Sequence, residues 1–134
     1  MNWKTALGIL VAVSFVFVDQ LAKEMAMQQS SVTFNSGIAF GLFSENPWIK
    51  LVIGLSVFMG LVFYLMFKRH SLALILLFFG TVSNLIDRIR FGAVVDWLAV
   101  PGLPLRNNLA DWMIVVSLVW IFLAELKIKN AKKK

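Results

Sequence analysis

The sequence predicts an all-α integral membrane protein, a bundle of four transmembrane helices forming a single membrane domain over residues 1–134. Three observations carry that prediction: an excess of apolar residues, a scarcity of charge, and the gathering of the apolar residues into four long runs. Of 134 residues, 60% are hydrophobic and 15% charged, and the mean hydropathy is +0.82. A soluble domain carries roughly 45–50% apolar and about 25% charged residues, so too few polar side chains remain to coat a water-soluble globule. The net charge is +6, yet the basic residues form no nucleic-acid stripe. Many sit in short clusters beside apolar runs (Lys68 and Arg69; Lys127, Lys129, Lys132, Lys133 and Lys134), as in the cytoplasmic segments of membrane proteins. The absence of cysteine excludes disulfides, thiolate catalysis and Cys-ligated metals.

The four runs cover about residues 3–22, 48–67, 71–89 and 109–126, with a basic tail at 127–134. Each is close to the ~20 residues that cross a bilayer core at about 1.5 Å per residue. They are too long and continuous for the alternating strands of a barrel. The first resembles a secretory leader in having Lys4 before an apolar stretch. It ends in Val18-Asp19-Gln20-Leu21-Ala22-Lys23-Glu24, without a small-x-small cleavage site, and reads as a retained helix. With both termini cytoplasmic, the inner side carries Lys4, Lys68, Arg69 and the five lysines after Leu126. The outer side then carries Lys23, Lys50, Arg88, Arg90 and Arg106, eight cations against five. That imbalance sets the orientation. Trp3, Trp48, Trp97 and Trp112 fall near helix ends, where an aromatic belt is expected.

Charges within or at the edge of apolar helices are costly and flag function. Here they collect at one face. Asp19 lies near the outer end of the first helix, Asn84, Asp87 and Arg88 near the outer end of the third, and Asp96 just beyond. Asn108 and Asp111 open the fourth. Four of the seven acidic residues therefore meet at one rim. Asn84, Asp87 and Arg88 share a helical face by their spacing of three and four. Asn108 suits an N-cap, and Asp111 meets the positive end of the helix dipole. The loop from Asp96 to Asp111 contains Pro101, Gly102 and Pro104, a turn able to bring the two carboxylates together.

Two carboxylates in a poorly hydrated site cannot both ionise cheaply, so one keeps its proton and the other stays charged. Such a pair is an acid and a base at once. The charged member can take a proton from water while the protonated member hydrogen-bonds a peptide carbonyl turning tetrahedral.

These residues fall into ordered motifs. Asp19-Gln20-x-x-Lys23 comes first, then Asn35-Ser36-Gly37-Ile38-Ala39-Phe40. Gly80-x-x-x-Asn84-Leu85-Ile86-Asp87-Arg88 is followed by Val94-Val95-Asp96-Trp97, and Asn108-Leu109-Ala110-Asp111 closes the set. Together they resemble the lipoprotein signal peptidase family (signal peptidase II), aspartic proteases of the bacterial inner membrane. The resemblance implies Asp96 and Asp111 as the catalytic dyad. It implies substrate-binding or supporting roles for Asn35, Asn84, Arg88, Asn108, Asp19, Lys23, Asp87 and Gly80. It further implies a diacylglyceryl-modified prolipoprotein as substrate, cleavage before the lipidated cysteine, no metal or other cofactor, no nucleic-acid partner, and contact with membrane lipid and globomycin-type inhibitors. The active site is then expected at the extracytoplasmic face. This chain departs from the usual pattern at Ser83 (commonly Gly), Trp97 (commonly Phe) and Asn107 (commonly aromatic). Only eleven residues separate Lys23 from Asn35. It reads as a compact member with shortened extracytoplasmic segments, which in the family form short β-structure.

Structural readings stand beside the functional ones. Asp19 and Lys23, four apart with the acid first, suit a salt bridge; Lys23 could equally snorkel to headgroups. Asp87 and Arg88 suit an ion-pair network at a helix end, Asn108 a plain cap. His70 belongs to the inner basic loop, away from the aspartates. A Ser30 or Ser31 dyad with Lys23 has no supporting motif. The rival function is a non-enzymatic four-helix protein such as a small proton-coupled transporter. Transporters keep their essential carboxylate near the midplane, whereas these helices hold no acid at mid-length and crowd theirs at one rim.

Overall fold

The computed structural model describes residues 3–36, 54, 57–58 and 72–132. Three helices in it are long and apolar enough to cross a membrane: α1 (Trp3–Gln28), α2 (Leu72–Phe91) and α3 (Leu109–Ala131). Four short strands lie between them: β1 (Thr33–Asn35), β2 (Val94–Asp96), β3 (Leu98–Ala99) and β4 (Arg106–Asn107). The second expected helix, 48–67, lies outside the described residues except for Gly54, Val57 and Phe58. Those three are helical, and the Phe58 ring packs 5.1 Å from Phe78 of α2.

The burial pattern is inverted relative to a soluble protein. Leu10, Phe17 and Leu21 of α1 and Val115, Val119, Trp120, Phe122 and Leu123 of α3 are exposed, while Asp19, Lys23, Asp87 and Asn108 are buried. A chain so arranged has lipid as its outer solvent. The apolar core is small, built from Ala12, Ile75 and Met113 with Ile9, Val16, Leu76 and Phe79 packed around it. Small residues let the helices approach. A Cβ at Gly80 would stand 2.9 Å from the Ala110 carbonyl and 3.1 Å from Met113 Cβ, so α2 and α3 are in close contact there. Gly80 thus shapes a helix crossing and is not among the polar side chains.

Two helix ends differ from the sequence expectation. α1 continues past Ala22 to Gln28 because Lys23 is held from inside the bundle and Ala22–Gln28 is rich in helix formers. It stops in a Schellman turn: Ser30 N–H donates to the Met27 carbonyl at 3.1 Å and Ser31 N–H to that of Ala26 at 3.0 Å, with Ser30 at φ 53°. α3 likewise runs beyond Leu126 through Ala131, absorbing most of the basic tail, whose lysines suit a helix C-terminus.

The strands form two antiparallel ribbons. β1 pairs with β2 in the register Thr33↔Asp96, Phe34↔Val95 and Asn35↔Val94, and β3 pairs with β4 as Leu98↔Asn107 and Ala99↔Arg106. Gly92, at φ 69°, ends α2 and turns the chain into β2. Between β3 and β4, Pro101 and Gly102 (φ 80°) make a tight turn closed by Leu103 N–H on the Val100 carbonyl at 3.1 Å. The hairpin carries the chain from Asp96 back to the start of α3. The expected α-helical bundle therefore includes two small sheets at its polar end.

Candidate active site

The polar residues singled out from sequence converge at the end of the bundle where α1 stops, α2 stops and α3 starts. They form two linked groups.

The first group is centred on a cation. Lys23 Nζ lies 2.7 Å from Asp19 Oδ2 and 2.7 Å from Asp87 Oδ2, all three side chains essentially solvent-free. Both carboxylates collect further donors besides the ammonium. Asp19 accepts from Ser83 Oγ at 2.8 Å, Trp97 Nε1 at 3.3 Å and Leu109 N–H at 2.9 Å. Asp87 accepts from Gln20 Nε2 at 2.8 Å and Val95 N–H at 3.1 Å. One ammonium thus ties α1 to α2, and its two carboxylates tie in β2 and the first turn of α3. The spacing of Asp19 and Lys23 pointed to this salt bridge. Asp87 does join an ion-pair network at the helix end, with Lys23 as its partner, while Arg88 donates to the Asn84 carbonyl at 3.3 Å. Trp97 is likewise no simple belt residue, since its indole serves Asp19.

The second group has no ammonium in contact. Asp96, at the end of β2 and 3% exposed, accepts from Asn108 Nδ2 at 2.7 Å and from Asn35 Nδ2 at 3.1 Å. Asp111, half-buried in the first turn of α3, accepts from Asn84 Nδ2 at 2.8 Å. Asn108 spans both: while its amide nitrogen holds Asp96, its Oδ1 caps α3 by accepting from Asp111 N–H at 2.8 Å. Capping is thus one half of what Asn108 does. Neither carboxylate makes an ion pair among the described residues. Burial first, and the Asp111 charge second, raise the Asp96 carboxyl from the ordinary range to about 6, against the hydrogen bonds from Asn108 and Asn35.

Nine of the ten residues singled out from sequence therefore belong to one connected polar end, with Gly80 two turns below. Gln20 and Ser83 also take part, donating to Asp87 and Asp19. Their signal was adjacency: Gln20 follows Asp19, and Ser83 precedes Asn84 on the same helix. Of the Asn35–Phe40 motif, residues 37–40 lie outside the described residues.

The arrangement holds two carboxylates at the ends of different elements, fixed by three asparagine amides that donate and leave the charge uncompensated. One proton can be shared over such a pair. An arrangement of this kind can activate a water against a carbonyl.

Comparison with known proteins identifies a family. The family described as Signal peptidase (SPase) II matches residues 11–127. A lipoprotein signal peptidase of Clostridioides difficile (strain 630) is 31% identical over 135 residues, covering 86% of this chain and 91% of that one. One from Halothermothrix orenii is 31% identical over 133 residues, with 85% and 91% covered. A solved bacterial membrane enzyme superposes with a TM-score of 0.84 at 25% identity, covering 96% of this chain and 92% of its own; a second gives 0.79 at 25%, covering 91% and 94%. The chain belongs to the signal peptidase II family.

Proposed function

We propose that this protein is a membrane aspartic endopeptidase that removes the signal peptide from diacylglyceryl-modified prolipoproteins, cutting just before the lipidated cysteine. The observation that carries the reading is the contrast in partners. Asp96 and Asp111 are gripped by amides and left without a cation, whereas Asp19 and Asp87 are neutralised by Lys23.

The chemistry follows from sharing one proton. The ionised member of the pair takes a proton from water, and the resulting hydroxide forms a bond to the scissile carbonyl carbon. The protonated member hydrogen-bonds the carbonyl oxygen as negative charge gathers there. Collapse breaks the C–N bond; the departing amine leaves with a proton from the pair, and the signal peptide leaves as a carboxylate. Asn35, Asn84 and Asn108 hold the two carboxyl groups, and Arg88 is placed beside Asn84 for the substrate backbone.

The same reading sets the protein in the bacterial inner membrane with four spanning helices, the fourth being 48–67, and both termini cytoplasmic. The polar end then faces the extracytoplasmic leaflet, where a membrane-embedded peptide and its acyl chains arrive together. Membrane lipid surrounds the exposed apolar faces, and globomycin-type inhibitors would compete for the site. The test is mass mapping of the products from one precursor presented with and without its diacylglyceryl group. The expected result is one new N-terminus at the modified cysteine and no cut in the unmodified precursor. Cleavage elsewhere, or equal cleavage of both forms, would refute the substrate assignment.

A further inference from the structure

The buried cation touches more than its two carboxylates. Lys23 Nζ also lies 3.4 Å from Asn84 Oδ1, and the other end of that amide, Nδ2, donates to Asp111 Oδ1 at 2.8 Å. We propose that Lys23 is a positioning residue for the catalytic pair, acting through Asn84: its ammonium fixes which way the Asn84 amide points. This rests on Asp111 being one of the reacting carboxylates.

A side-chain amide can rotate by half a turn and exchange its oxygen with its nitrogen. Turned over, Asn84 would set its NH₂ against the Lys23 ammonium, which has only donors, and its oxygen against the Asp111 carboxylate. Both contacts repel. With Lys23 present, only one orientation serves both neighbours, and it is the one that offers an N–H to Asp111. Without Lys23 the inner contact no longer discriminates, and Asp111 loses a donor that is otherwise held in place. The ammonium itself cannot wander, because Asp19 and Asp87 clamp it from α1 and α2 and all three side chains are sealed from water. Asn84 is 6% exposed, so water is a poor substitute for the lost contact.

The charged groups bearing on the Asp111 carboxylate are Lys23 and Asp19 from α1, Arg88 from α2 and Asp96 from β2. A direct field from Lys23 on the pair is therefore the competing explanation, and the test must separate it from action through Asn84. Removing Lys23 alone leaves two buried carboxylates uncompensated, so the chosen variant is Asp19→Asn/Lys23→Met, which keeps the net charge of the trio at one negative. The asparagine at 19 can still accept from Trp97 and Leu109 and can donate to Ser83 Oγ.

The readout is the pH dependence of kcat/KM on a diacylglyceryl-modified precursor in detergent, measured for Asp19→Asn and Asp19→Asn/Lys23→Met, each with and without Asn84→Ala. Thermal unfolding of each confirms that a folded protein is assayed. Losing an oriented donor disfavours ionisation of the pair, so the active pH window moves upward by about one unit, roughly tenfold in kcat/KM on its acid side. In the Asn84→Ala background, removing Lys23 moves it no further. Equal shifts in both backgrounds would mean a direct field and overturn the relay. An unmoved window, with activity lost only in step with folding, would make Lys23 a plain structural brace and also overturn it. Asp111→Asn assayed alongside keeps the two ideas apart: full activity there would sink the underlying reading.

Discussion

Four aspartates meet at one end of this bundle, and the two pairs they form behave differently. Asp19 and Asp87 share a buried ammonium, collect donors from Ser83, Trp97, Leu109, Gln20 and Val95, and join three helices and a strand. Asp96 and Asp111 are no less organised, but asparagines hold them and no cation pairs with them. The difference teaches that residue type alone does not separate a brace from the pair proposed to react. The partner set does. A carboxylate neutralised by a cation is stabilised as a charge and has little reason to exchange a proton. One whose direct partners are neutral donors, with a second carboxylate nearby and no cation in contact, sits nearer the point where proton transfer is cheap.

The comparison can be broken at its strongest point by Lys23→Met. Two buried carboxylates then face each other without a cation, and the expected loss is about 3–5 kcal/mol of stability, read as a lower unfolding temperature or failed accumulation in the membrane. A variant as stable as the parent would mean that the triad is not the brace.

The pair proposed to react should show the opposite sign. The folded chain holds the Asp96 proton to about 6, while an unfolded chain releases it near ~3.9. Between those values the folded state binds more protons, so this group's stabilising contribution, complete at low pH, is lost as pH rises through the window. Asn cannot ionise and escapes that loss. Asp96→Asn should therefore gain on the parent by up to about 3 kcal/mol as pH rises from about 4 to about 7, with no further gain above that, followed by thermal unfolding at each pH. A pH-independent difference would place Asp96 in a relaxed, solvated setting.

A smaller effect tests the scaffold beneath both pairs. Gly80→Ala puts a methyl 2.9 Å from the Ala110 carbonyl, which forces α2 and α3 apart. A cost of about 1–3 kcal/mol is expected, with lost cleavage because Asn84 and Asp111 ride on those two helices. Unchanged stability and rate would show that the crossing has slack.

Much of this was legible in the sequence because it is local. The i, i+4 spacing of Asp19 and Lys23, the Asn108 cap and the turn residues Pro101 and Gly102 each encode their geometry within a few positions. What the spacing could not supply was partner choice over distance. Asp87 sits beside Arg88 in the chain, yet its cation is Lys23, 64 residues away, because consecutive side chains on a helix do not face each other. Trp97 looked like a belt residue for the same reason: its hydrogen-bond partner, Asp19, lies on α1, 78 residues away. The apolar runs gave spans but not ends, since α1 and α3 continue through polar residues that are good helix formers.

The central claim is that Asp96 and Asp111 react while the lysine-centred cluster only supports. It is tested most directly by measuring cleavage of a diacylglyceryl-modified precursor by purified Asp96→Asn and Asp111→Asn. Each should lose on the order of 10²–10⁴-fold in rate while still unfolding cooperatively in detergent. Cleavage at the parent rate by either folded variant would contradict it.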